Sequence, residues 1–333
     1  MPSLNCDTTY PPLVERVVVL TGPTASGKTA LALEVAERLN GEILSLDSIA
    51  VYHGMDIGTA KPSETDRERV AHHMIDLVTP DEDYSVARYL QEAHRIVDDL
   101  AANGRKAIFV GGTPMFLKAV LRGFDPGPPP DWDFRKSVEQ DLERYGQEAL
   151  RRRLIQVDPL SAAKIDPGDT RRMIRALEVS KSTGRPLSHR QIQFERARPA
   201  SSCCVFALQW PRKELHERIN QRVDRMFEQG LIDEVKSLLE QYELSRTAVQ
   251  AVGYREVIEW LRADQNGGAL PQTVRESIAA HTRQLARRQE TWFRSFSEIS
   301  FLDASDAVNE RALADEVVRR VEATQDCLKS RAE

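Results

Sequence analysis

The chain has 333 residues, 41% of them hydrophobic and 29% charged, with a formal net charge of −5. That is the composition of an ordinary globular protein, long enough for two domains or for one domain carrying a sizeable insertion. The total charge does not advertise a nucleic-acid partner, although local basic stretches can still make such a contact, and four cysteines without CxxC spacing (Cys6, Cys203, Cys204 and Cys327) indicate neither a zinc site nor a disulfide framework.

At the amino end, MPSLNCDTTYPPLVER lacks a basic segment followed by an apolar one. No window approaches the roughly 18 consecutive apolar residues of a membrane span. The expectation is a cytoplasmic protein that makes no membrane contact. Compact β-branched or apolar runs bounded by turn formers predict strands at Arg16 to Leu20, Glu42 to Leu46, Ala107 to Val110 and Val205 to Leu208, with a weaker fifth at Ile299 to Leu302. Helical periodicity covers Thr29 to Leu39 and Val86 to Ala102, the second stopped by Asn103-Gly104. Alternation of this kind predicts an α/β fold, a parallel sheet with helices on both faces. The pattern breaks at Gly123-Phe-Asp-Pro-Gly-Pro-Pro-Pro130, which suits neither a helix nor a central strand. Residues 125–202 are therefore read as a helical, arginine-rich insertion in a core made of 1–124 and 203–333, whose last part is amphipathic helix.

The first predicted strand runs into Gly22, Pro23, Thr24, Ala25, Ser26, Gly27, Lys28 and Thr29, and then into a helix. Strand, glycine-bounded loop and helix in that order form a phosphate-binding P-loop. Its backbone N–H groups and helix N-terminus face an anion, Lys28 adds a full charge, and the Thr29 hydroxyl is placed to ligate Mg²⁺. The pattern usually marks ATP binding, but the physics specifies only a phosphorylated ligand.

The second strand ends at Ser45-Leu-Asp47-Ser48, at the sheet edge where ligands of open α/β folds bind. Asp47 reads as a general base, a Mg²⁺ partner or the N-cap of the next segment. The third strand ends at Gly111-Gly112-Thr113-Pro114, where the glycines permit close backbone approach and Thr113 can donate to an oxygen, or where the chain simply turns. His72 and His73 lack companion ligands and are read as structural. Arg283, Arg287 and Arg294 share one helix face.

GPTASGKT, DSIAVYHGMDIGTAKP (47–62), VGGTPMFLKA (110–119), DTRRMIRALEV (169–179), RINQRVDRMFEQGLIDEV (218–235), VGYRE (252–256) and RQLARRQETWFR (283–294) resemble, in this order, the bacterial tRNA dimethylallyltransferases, also called tRNA isopentenyltransferases. The likeness spans residues 16 to 303. It implies a P-loop NTPase-like sheet with an all-helical insertion. It also implies transfer of a dimethylallyl group from dimethylallyl diphosphate to N6 of the adenine 3′ of the anticodon, position 37, in tRNAs reading codons that begin with U. ATP is not consumed; the P-loop and Mg²⁺ hold the leaving diphosphate.

By the same resemblance Asp47 is the general base and Thr113 contacts substrate near the bridging oxygen. Arg222, four residues beyond Arg218 on one helix face, reaches the diphosphate as a lid-like contact. Segments against tRNA are Asp47, Ser48, Ile49 and Ala50, then Arg171, Arg172, Met173, Ile174 and Arg175, then Val252, Gly253, Tyr254 and Arg255, with Thr113 and Arg135 as further contacts. Many relatives carry glutamine at the position of Ala50 and a basic residue at that of His53, so readout around the target base differs in detail here. A monomer binding the tRNA anticodon stem-loop is expected. A transferase acting on free adenylate and a small-molecule P-loop kinase are the competing readings. The insertion and the long C-terminal region are superfluous for a small acceptor.

Overall fold

The computed structural model describes residues 9–190, 194, 197–263, 272–305 and 309–329. Cys6 lies outside them. The chain divides into two compact units: Leu13–Leu121 with the segment from Ala197 onward, and Arg122–Arg196 with the segment up to Pro12.

The larger unit is built on six parallel strands, β1 (Val17–Thr21), β2 (Gly41–Ser45), β3 (His72–His73), β4 (Lys106–Val110), β5 (Val205–Gln209) and β6 (Ser300–Asp303). They are ordered β3-β2-β4-β1-β5-β6. Every residue of β1, VVVLT, is buried, as expected for a strand covered on both faces, and each large side chain there contributes roughly 1.5–3 kcal/mol by leaving water. The helices of this unit are α1 (Lys28–Arg38), α2 (Glu64–Arg69), α3 (Val86–Ala102) and α4 (Pro114–Arg122) before the insertion. One core cluster joins Leu31, Val35, Ile43, Ile108, Phe206 and Leu302. The strands expected from sequence are present. His72–His73 adds a two-residue edge strand that its half-buried pattern did not signal.

The smaller unit contains α5 (Trp132–Val157, broken at Gly146), α6 (Pro159–Lys164), α7 (Thr170–Thr183) and α8 (Leu187–Arg190). Its own core gathers Phe134, Val138, Leu150, Leu154, Met173 and Leu177. The sequence pattern groups the first residues with the sheet. In the structure Tyr10 exchanges backbone hydrogen bonds with Phe124, at 2.9 Å each way, and both fall in the smaller unit, whose main segment runs from Arg122 to Arg196 rather than from 125 to 202.

The chain then returns through β5 to α9 (Arg212–Glu228), α10 (Leu231–Gln241), α11 (Arg246–Val249), α12 (Tyr254–Ala263), α13 (Gln272–Phe293) and α14 (Glu310–Lys329). α9, α10, α12 and α13 pack with the loop between β2 and β3 around Tyr52, Met55, Val223, Val235, Tyr254 and Ile278. β1, β4 and β2 are direct neighbours, so their three carboxyl ends lie side by side. Among the described residues no helix is long and apolar enough to cross a membrane.

Candidate active site

A cavity of about 600 Å³ opens at those three strand ends. Its floor is the P-loop. Gly27 takes φ 84° as the N-cap of α1, a left-handed conformation that a side chain would strain, and it turns the chain from loop to helix. Lys28 Nζ donates to the carbonyls of Gly22 at 3.0 Å and Pro23 at 2.7 Å, and to Ser26 Oγ at 3.3 Å. Burial pushes the Lys28 amine down to about 7, and the neighbouring Arg222 charge adds to the effect, while Asp47 opposes it. Thr29 is exposed toward the cavity it lines.

Two α9 arginines enter from above. Arg218 Nε donates to the Ala25 carbonyl at 3.0 Å, and its guanidinium lies 4.2 Å over the Trp210 ring. Trp210 Nε1 in turn donates to the Ser26 carbonyl at 3.0 Å, so one aromatic side chain supports both loop and arginine. Arg222, one helical turn on, donates to Thr59 O at 3.0 Å. Lys28, Arg218, Arg222 and Arg225 all line the cavity. Lys61 does too, but its charge is met by the carboxylates of Asp56 at 2.7 Å and Asp76 at 2.6 Å, with the Tyr52 carbonyl at 2.6 Å, whereas the Lys28 amine has only neutral acceptors. An anion is the ligand this field favours.

Asp47, at the end of β2, is one of two carboxylates that line the cavity, Glu310 being the other. Its Oδ1 accepts from the N–H groups of Ile49 at 2.8 Å and Ala50 at 3.3 Å, so the capping role is real. Oδ2 takes no hydrogen bond among the described residues, and Asp47 lines the cavity. Thr113 does not line it. Its Oγ1 accepts from Ser48 N–H at 3.0 Å and its N–H donates to the Leu46 carbonyl at 3.1 Å, which locks the Asp47 turn to the end of β4.

The segments expected to meet tRNA divide by exposure. Ser48 and Ile49 are half-buried and Ala50 is buried. Arg171 and Arg172 are exposed on α7, whereas Met173 and Ile174 are buried in the core of the smaller unit, where side-chain packing replaces the expected RNA contact. Arg135 and Arg175 are likewise engaged. Both pair with the fully buried Glu178, Arg135 in a two-pronged contact at 2.8 and 2.9 Å, and Arg175 also donates to the carbonyls of Pro126 and Pro128. Trp132 stacks on Arg135 at 4.9 Å and stays exposed. In VGYRE, Val252 is half-buried and Gly253 buried; Tyr254 is fully buried, its ring over Gly58, and donates to Glu234 at 2.6 Å. Arg255 pairs with Glu256, which also holds His281. Arg287 is exposed on α13, Arg294 is exposed just beyond its last residue, Phe293, and Arg283 donates to Asn220.

Sequence reasoning missed three residues that shape the cavity. Glu234 accepts from the N–H groups of Asp56, Ile57 and Gly58. Lys61 ties Asp56 to Asp76, and Gln289 bridges the Thr24 N–H and the Gly112 carbonyl. Each lies inside a stretch that carries the family resemblance, but nothing in that stretch singles it out, because its partners lie up to 265 residues away. His72 donates through Nδ1 to the Val70 carbonyl and His73 contacts Glu42. No three His, Cys, Asp or Glu side chains converge as a metal cluster among the described residues. A magnesium ion here would draw on the exposed Thr29 hydroxyl and on ligand phosphate oxygens, the usual setting for an ion that keeps several waters. The residues present fit that role.

A family model described as IPP transferase matches residues 50–296, so the P-loop and Asp47 precede the matched span. A tRNA dimethylallyltransferase of Rhodopirellula baltica is 57% identical over 307 residues, 90% of this chain and 91% of that protein. One of Geobacter metallireducens is 42% identical over 289 residues, covering 86% and 92%. The crystal structure of the full-length tRNA isopentenylpyrophosphate transferase from Bacillus halodurans superposes with a TM-score of 0.68 at 35% identity, over 95% of this chain and 99% of that one. A eukaryotic dimethylallyltransferase acting on tRNA gives a TM-score of 0.68 at 28% identity, over 87% and 74%. With the P-loop NTPase-like sheet these neighbours share, the chain belongs to the IPP transferase family of prenyl-transferring enzymes.

Proposed function

We propose that this enzyme transfers the dimethylallyl group of dimethylallyl diphosphate to N6 of the adenosine at tRNA position 37, in tRNAs reading codons that begin with U, and releases diphosphate. The observation that carries the reading is the Asp47 carboxylate opening into the same cavity as the Lys28, Arg218 and Arg222 cations. An acceptor-side base and a leaving-group cradle then serve one bond exchange.

In that exchange the C1–O bond of the allylic diphosphate breaks and its electron pair leaves with the diphosphate, while the N6 lone pair forms the new N–C1 bond. The N6 proton passes to Asp47 Oδ2. Charge growing on the departing oxygens would meet the P-loop amides, Lys28 and the two arginines. Magnesium, held through Thr29 and the diphosphate itself, would neutralise part of that charge. Thr113 holds the Asp47 turn through Ser48. The adenine must leave its stack to enter the cavity. Arg171 and Arg172, with exposed arginines of α13, supply charge for the tRNA backbone.

The test is label transfer from dimethylallyl diphosphate, with Mg²⁺, to unmodified tRNA carrying adenine at positions 36 and 37. Labelled tRNA, abolished by chelating the metal, is the expected result. Label on free AMP but not tRNA would establish the adenylate transferase instead, and ATP turnover indifferent to the prenyl diphosphate would establish a kinase.

A further inference from the structure

Gln289 takes no part in the bond exchange above, yet its side chain joins the two halves of the cavity. It sits on α13 and is 7% exposed. Oε1 accepts from Thr24 N–H at 2.9 Å and Nε2 donates to Gly112 O at 2.8 Å. Both partners are backbone groups of fixed polarity, so they set the orientation of the amide. Only a carboxamide satisfies both: a carboxylate has no donor, and a thioether offers neither a donor nor a strong acceptor.

The residue after Gly112 extends the link. Thr113 Oγ1 accepts from Ser48 N–H, directly after Asp47. A continuous path of hydrogen bonds and peptide units therefore runs from the P-loop through Gln289 to the turn that carries the carboxylate. The fit is close: a Cβ at Gly112 would lie 2.5 Å from Gln289 Nε2 and 3.2 Å from Gly22 O. Glycine lets the two loops approach, and the Gln289 amide fixes their separation.

We propose that Gln289 is a positioning residue that sets the spacing between the diphosphate cradle and Asp47. This rests on the transfer reaction proposed above. Displacing reacting groups by about 1 Å can cost up to ~100-fold in rate, so the link acts on the chemical step rather than on tRNA affinity.

Gln289→Met keeps length and removes both strong bonds; Gln289→Glu keeps the acceptor for Thr24 and removes the donor to Gly112. In single-turnover transfer at saturating substrates, Gln289→Met is expected to lose roughly 10–100-fold in rate, with the tRNA Kd changed by less than about threefold. Gly112→Ala is expected to lower the rate without adding to the loss in the double variant, because both break the same link. Should Gln289→Met not fold, as judged by circular dichroism, Gln289→Glu carries the same test. Wild-type transfer with a folded variant within about threefold of it overturns the positioning role alone, as does a loss confined to tRNA binding. A wild type that labels no tRNA overturns the transfer reading and, with it, this inference.

Discussion

Arg222 donates to the carbonyl of Thr59 at 3.0 Å, joining α9 to the loop beyond Met55 across 163 residues of sequence. The guanidinium lines the cavity with only a neutral oxygen as its hydrogen-bond partner among the described residues. A diphosphate offers it charged acceptors in a forked arrangement that lysine cannot match. Arg222→Lys should lower kcat/KM for dimethylallyl diphosphate by roughly 10–100-fold while leaving tRNA affinity unchanged, checked by steady-state kinetics with each substrate varied in turn.

Lys28 gives a proton signature. Burial and the Arg222 charge hold its amine at about 7, against an ordinary 10.5. A bound diphosphate favours the ammonium, so binding inorganic diphosphate should take up a proton near and above pH 7, and affinity should fall as pH rises. Calorimetry in buffers of different ionisation enthalpy measures that uptake. Stability runs the other way: between pH 7 and 10.5 the unfolded chain holds the extra proton, so the Lys28 contribution makes the ligand-free protein more stable as pH rises through that window.

Glu234 holds three successive backbone N–H groups, Asp56, Ile57 and Gly58, and the Tyr254 hydroxyl. Glu234→Ala leaves those donors without their acceptor at a cost of about 1–3 kcal/mol. The amides of residues 56–58 should lose hydrogen-exchange protection, and the Arg222 contact to Thr59 should loosen with them. Protection equal to wild type would mean the loop is held by the Lys61, Asp56 and Asp76 cluster alone.

In the smaller unit, Glu178 is fully buried and its charge is met by Arg135 and Arg175. Burial alone would raise its pKa, but hydrogen bonds from the two arginines overcome that and hold it below the ordinary 4.5. Its stabilising contribution is complete above pH 4.5 and should disappear as pH falls through the lowered native value. Glu178→Ala strands two arginines and should destabilise this unit by about 3–5 kcal/mol, seen as faster proteolysis of its helices. Arg171→Glu with Arg172→Glu, both exposed, should instead weaken tRNA binding and flatten its salt dependence without altering stability.

The sheet was legible in the sequence where burial was continuous. β1, β2, β4 and β5 are short apolar runs, and the P-loop pattern after β1 located the cavity. β3 escaped because two half-buried histidines have no periodicity to read. Asp47 was visible as a carboxylate at a strand end, but its cap to Ile49 and its cavity-facing oxygen are two functions of one side chain that only the folded structure separates. Arg135 and Arg175 read as tRNA contacts because two arginines on separate helices do not disclose the buried Glu178 that they share. Tyr254, read with its neighbours as an RNA contact, is fully buried over Gly58. Gln289 and Glu234 act through backbone groups far along the chain, a relationship set by topology and carried by no local pattern.

In the proposed reaction a loop of kinase type serves a diphosphate leaving from carbon. The most direct measurement of this tracks diphosphate release and prenylated tRNA together, in one reaction containing Mg²⁺, dimethylallyl diphosphate and unmodified tRNA but no nucleotide triphosphate. Equal amounts of diphosphate and N6-dimethylallyladenosine, with both lost in Asp47→Asn while its tRNA binding persists, are the predicted result. No diphosphate release until ATP is added, or release with no prenyl group on tRNA, would contradict it.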